Sequence, residues 1–158
     1  MYEGLRVASA FLNALCNLGQ GGSTVDNQFA SSVGTLNAII YAKLERVNID
    51  TEVKHSCLLT ASSLICTSYP ILGQSELSKY FAVFKERMTN ELTREAALRG
   101  LTVIASNNLQ EESSSAVIPI AQPQNFLDAF FDLLKKQSRQ LHLNTLECLE
   151  ALTRRYAS

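Results

Sequence analysis

Tryptophan is absent from this chain of 158 residues, histidine occurs twice and proline three times. No apolar run approaches the roughly 18 to 20 residues that cross a bilayer, and Met1-Tyr2-Glu3 does not open a signal peptide. An excess of one charge is missing too: 14 basic residues face 15 acidic ones, and the basic ones are scattered. That excludes the electrostatic footprint of a DNA-, RNA- or lipid-binding surface. The expectation is a protein partner, with no nucleic acid and no membrane.

Motifs for chemistry are missing as well. The four cysteines, Cys16, Cys57, Cys66 and Cys148, form no C-x-x-C and no zinc spacing. Cys57 falls on an apolar helix stripe, where a thiol behaves as a small hydrophobe, so the reading is buried thiols in a reducing, intracellular compartment. There is no G-x-S-x-G, no P-loop, no H-E-x-x-H and no EF-hand loop. Gly19 to Gly22 follows a helical stretch and leads to no P-loop lysine, so it reads as a helix stop. His55 and His142 read as ordinary surface or half-buried side chains, and Glu111-Glu112 as a solvated pair beside Ser113 to Ser115. No catalytic residue, metal ligand or cofactor is expected, so the chain is read as no enzyme.

What the sequence does have is an internal repeat. Glu52 to Ile65 places Val53, Cys57, Ala61, Leu64 and Ile65 on one helical stripe. At a spacing of 39 (Glu52 to Glu91), the stretch Glu91 to Ile104 places Leu92, Ala96, Gly100, Val103 and Ile104 at the matching positions. Each copy follows another helical stretch, giving a helix pair of about 40 residues, the length of HEAT or armadillo units. The fold class that follows is all-α: an α-solenoid of HEAT/armadillo-like helix pairs with about seven helices, an architecture that binds rather than catalyses.

In chain order, 3–18 reads as the second helix of a half repeat, which points to a piece of a longer solenoid. Three repeats follow, at 28–69, 75–106 and 123–156, and together these make a single array over 1–158. Gly34 inside the first long helix suggests close contact with a neighbour. Asp50 is a good N-cap for a helix over 51–69 that Pro70 and Gly73 end, and Ser75 caps the next one. Gly100 falls where Ala61 fell, at the point where paired helices touch. Asn107 to Ala121 breaks the register as a loop, Pro123 fits a first helical position, and Ser138 caps the last helix.

Candidate contact residues lie on the outward row of the second helices: Glu52, His55, Ser56 and Leu59, then Glu91, Arg94, Glu95 and Leu98, then Gln140, Leu143, Asn144 and Glu147. Leu59 and Leu98 are equivalent and have two readings, packing against the neighbouring repeat or an apolar contact on a protein-binding surface. The mixed charges of the row would set specificity more than affinity.

Specific residues go beyond periodicity. Asn48-Ile49-Asp50-Thr51-Glu52-Val53-Lys54 and Leu64-Ile65-Cys66 resemble the middle of the CAND family, the cullin-associated, neddylation-dissociated HEAT proteins. The resemblance continues through Glu86 to Arg94 and Leu101 to Ala105, ends in Thr145-Leu146 with Leu149 and Tyr156, and covers about Tyr41 to Tyr156. It implies an all-helical solenoid without an active site that wraps an unneddylated cullin-RING complex and acts as an exchange factor for cullin-RING ubiquitin ligases, in cytoplasm and nucleus. It places this chain among the central repeats, beside neighbouring repeats of its parent. The first forty residues match only as generic HEAT sequence, and the polar 111–122 loop is longer than the family's usual link. Rival readings are a HEAT scaffold of another system, such as a transport receptor or phosphatase scaffold, and a helical regulatory domain of a larger enzyme.

Overall fold

The structure, a computed structural model, describes residues 27–46, 48–107 and 123–156. The helix expected over 3–18, its glycine stop, Cys16 and the serine-rich loop lie outside the described residues. Among those described, every regular element is helical: α1 (Asn27–Leu44), α2 (Thr51–Thr89), α3 (Arg94–Ser106), a 3-10 turn (Pro123–Phe126), α4 (Leu127–Leu134) and α5 (Arg139–Tyr156).

The caps at Asp50 and Ser138 form as the sequence predicts. The Asp50 carboxylate accepts the Glu52 N–H at 2.9 Å and the Ser138 hydroxyl accepts the Leu141 N–H at 3.3 Å. Each satisfies an N–H that the helix leaves open, worth about 1 kcal/mol.

One boundary holds and one differs from expectation. The helix over 51–69 ends where Pro70 and Gly73 were expected to end it: Ser68, at φ −134°, ψ 16°, and Gly73, at φ 69°, ψ 162°, leave the helical region and divide α2 into two helices. Pro70 brings no N–H to the ladder, and Gly73 takes a positive φ that an L side chain resists. Gly73 is the last residue outside the helical region before the second of these helices, so Ser75 stands in its first turn and not at the cap. α2 is therefore two arms, 51–67 and 74–89. The boundary that differs is at α3, which starts at Arg94 and not at Glu91. Asn90 is the cause: its side-chain oxygen accepts the Leu92 N–H at 3.0 Å, while its carbonyl accepts the N–H groups of Thr93 and Arg94 at 3.2 and 2.9 Å. A side chain that mimics a backbone turn delays the helix. Leu92, inward on the predicted stripe, is consequently 65% exposed.

The arms stack in two layers. α1, the second arm of α2 and α4 form one; the first arm of α2, α3 and α5 form the other. Between them lies one core, which includes Ile40, Leu58, Leu64, Tyr80, Phe84, Leu98, Phe126 and Phe130, all fully or nearly fully buried. Burying one such side chain stabilises by roughly 1.5–3 kcal/mol. This is an all-α solenoid.

The two glycines singled out by sequence behave differently. A Cβ on Gly100 would lie 2.5 Å from Ser62 Oγ and 2.7 Å from Phe84 Cε1. α3 thus touches both its paired arm and the preceding second helix there, and only hydrogen fits. At Gly34 a Cβ would meet nothing within 4 Å, so the expected close contact is not made among the described residues.

Candidate functional site

The outward row of second helices is mixed in exposure. Glu52, Glu91, Glu95, Gln140 and Glu147 are exposed, and His55, Leu59, Arg94 and Asn144 are half-buried. Leu98 is the correction: it is fully buried and presents nothing to a partner. A helical wheel counts one packed side, but α3 is flanked by α2 and by α5, so part of its outward row is interior. Of the two readings of Leu98, packing holds.

His55 anchors the turn before α3, since its Nε2 hydrogen-bonds the Leu92 carbonyl. That joins one candidate, His55, to the segment carrying Glu91 and Arg94, which pair at 3.3 Å. On α5 the Gln140 amide donates to Asn144 Oδ1 at 2.9 Å, leaving the buried Asn144 Nδ2 without a partner among the described residues. His142 is engaged in the same manner as His55, with the Lys136 carbonyl.

A cleft of about 1080 Å³ lies between α1 and the second arm of α2 and reaches the start of the first arm at Thr51 and Lys54. Tyr41, Glu76, Val83 and Arg87 wall it, and Ile49 and Leu92 stand among its lining. Its closure is polar. Tyr80 Oη donates to Asn37 Oδ1 at 2.6 Å, Asn37 Nδ2 to Glu76 Oε2 at 3.1 Å, and Lys79 Nζ to Glu76 Oε1 at 2.6 Å. Tyr41 Oη donates to the Glu76 carbonyl at 3.1 Å, and its ring stacks on Tyr80 with centroids 4.5 Å apart. Arg87 Nη2 donates to the Leu44 carbonyl at 2.8 Å, where α1 ends. A cation at a helix C-terminus satisfies an open carbonyl and complements the dipole.

These contacts set the protonation states. Hydrogen bonds from Lys79 and Asn37 hold the Glu76 carboxyl below its ordinary value. Burial raises both phenols, Tyr41 and Tyr80, so they stay neutral. Burial also pushes the Cys57 thiol up to about 11 and the Cys148 thiol to about 12, which makes them poor nucleophiles. Among the described residues no group of three or more His, Cys, Asp or Glu stands together to hold a metal, and no helix is long and apolar enough to cross a membrane. Chemically the arrangement offers hydrogen bonds and apolar knobs.

Sequence reasoning passed over Leu92 and the Asn37–Glu76–Arg87 set. Asn90, two residues before Leu92, was a signal for the turn that exposes it. Contacts between residues 37 and 76 or 44 and 87 leave no trace in periodicity.

No family model matches the chain. Cullin-associated NEDD8-dissociated protein 1 of Drosophila melanogaster is 28% identical over 156 residues, 99% of this chain and 12% of that protein. The chain is similar, along nearly all of its length, to a segment of that protein. Cullin-associated NEDD8-dissociated protein 2 of Mus musculus is 29% identical over 120 residues, 76% of this chain and 9% of that protein. The Dictyostelium discoideum protein 1 is 27% identical over 122 residues, 77% of this chain. The likeness to the fly protein takes in the first forty residues, which sequence reading assigned only to generic HEAT character. The chain spans 12% or less of the length of these relatives.

Proposed function

We propose that this chain is a non-catalytic, protein-binding stretch of a HEAT-repeat array whose parent associates with cullins and regulates the assembly of cullin-RING ubiquitin ligases in cytoplasm and nucleus. The observation that carries the reading is the match, along 99% of the chain, to a protein named for cullin association. The geometry supports it: the surface has hydrogen-bonding and apolar groups, and the buried cysteines are held as thiols.

The array is also proposed to continue beyond α5. Between second helices, the row Leu58 and Ser62 is fully buried, and so is its equivalent, Ala97 and Leu101. The corresponding row on α5, Leu146 and Glu150, is open, with Leu146 50% exposed and Leu143 beside it 52% exposed. An apolar edge in that register fits another helix pair. The contact surface proposed for the cullin complex is Glu52, His55, Leu59, Glu91, Arg94, Glu95, Gln140, Asn144 and Glu147, with Leu92 added and Leu98 removed.

The test is label-free binding of the full parent and of this chain to a purified cullin-RING complex with and without its NEDD8 mark. Binding of the parent to the unmarked complex alone upholds the reading, and Leu92→Asp in the parent should then weaken it. Absence of parent binding to both forms overturns it.

A further inference from the structure

We propose that the junction between α1 and the second arm of α2 is a latched hinge: rotation at the 68–73 kink opens the cleft, and the side chains around Glu76 hold it shut. Three observations place the moving parts. The second-helix layer has no slack, because Gly100 lies against Ser62 and Phe84 with room for hydrogen alone, so that layer serves as the pivot. The link between the arms turns on Gly73, at φ 69°, a conformation open to glycine, with nothing within 4 Å of where a Cβ would stand. The first-helix layer is where a gap already exists, and beside the stacked Tyr41–Tyr80 rings and the buried Ile40, Leu44 and Leu77 a small set of directional bonds crosses it: Tyr80 to Asn37, Asn37 to Glu76, Tyr41 to the Glu76 carbonyl and Arg87 to the Leu44 carbonyl.

Such a set is suited to a latch. Packed apolar surfaces resist shear continuously, whereas directional hydrogen bonds at the edge of a cleft are either made or exchanged for water. Glu76 is the centre, since its carboxylate takes Asn37 from the opposite helix and Lys79 from its own, while its backbone carbonyl takes Tyr41. Arg87 is the second catch, at the far end of α1. Opening would change the angle between the first two helix pairs and with it the surface presented around Leu92. This inference stands independently of the partner's identity.

The experiment is pulsed electron paramagnetic resonance on the 158-residue chain carrying nitroxides at Ala38→Cys and Ala82→Cys, both exposed on the cleft walls. Cys16→Ser and Cys66→Ser remove other label sites, and Cys57 and Cys148 are buried. With the latch intact, one narrow distance distribution is expected. Glu76→Ala and Asn37→Leu should each raise the long-distance population by roughly tenfold, the worth of a lost hydrogen bond to a charged group. Asp132→Asn, which removes the Lys135 pair on α4, should leave it unchanged. Should either variant fail to fold by circular dichroism, Tyr41→Phe and Glu76→Gln take its place, with smaller shifts in the same direction. An unchanged distribution in the folded latch variants overturns the proposal.

Discussion

The two junctions of the first-helix layer solve one problem by different physics. Where α1 meets the second arm of α2, the contact is Asn37, Glu76, Tyr80, Arg87 and a stacked tyrosine pair. Where that arm meets the next repeat, Phe81 packs edge-on against Phe126 at 6.1 Å and Phe126 against Phe130 at 6.2 Å. Apolar burial is non-directional and large, so the aromatic junction supplies stability. A net hydrogen bond contributes about 1 kcal/mol but fixes an angle, so the polar junction supplies geometry and a dependence on pH. One repeat architecture thus accommodates an aromatic joint and one edged by polar bonds.

That contrast predicts the largest loss at the aromatic joint. Phe126→Ala empties a site 1% exposed and should cost about 3–5 kcal/mol in urea unfolding, with little dependence on pH. A smaller loss is expected at the pivot, where Gly100→Ala forces a methyl against Ser62 and Phe84 and should cost about 1–3 kcal/mol. Gly34→Ala, which meets nothing, should instead stabilise by about 0.5–1 kcal/mol, and a cost there would show a neighbour.

An effect of similar size belongs to the polar joint. Glu76→Gln should cost about 1 kcal/mol at pH 7. Because the folded carboxyl lies below its ordinary value, its contribution is fully present above about pH 4.3 and is lost as pH falls through the folded value. The variant should therefore converge on the wild type in acid, as urea midpoints across pH will tell.

Local rules were legible in the chain itself. Asp50 and Ser138 announce their caps, the stripe from Val53 to Ile65 and its copy announce the helix pairs, and Gly100 in Ala61's place announces a close approach. What was hidden depends on neighbours distant in sequence. Leu98 looks outward on one helix and is interior once α5 is laid beside α3. Gly34 and Gly100 are the same residue in the same kind of pattern, and only packing tells the open one from the crowded one. The cleft is invisible for the same reason, since Asn37, Glu76 and Arg87 come together from separate arms.

The difference between the two joints is read most directly by hydrogen exchange of the 158-residue chain as pH is lowered from 7 through the titration of Glu76. A conditional polar joint beside a stiff aromatic one requires that amides of α1 lose protection first while those of α4, held by Phe126 and Phe130, keep theirs. Simultaneous loss in α1 and α4, or loss in α4 first, would contradict it.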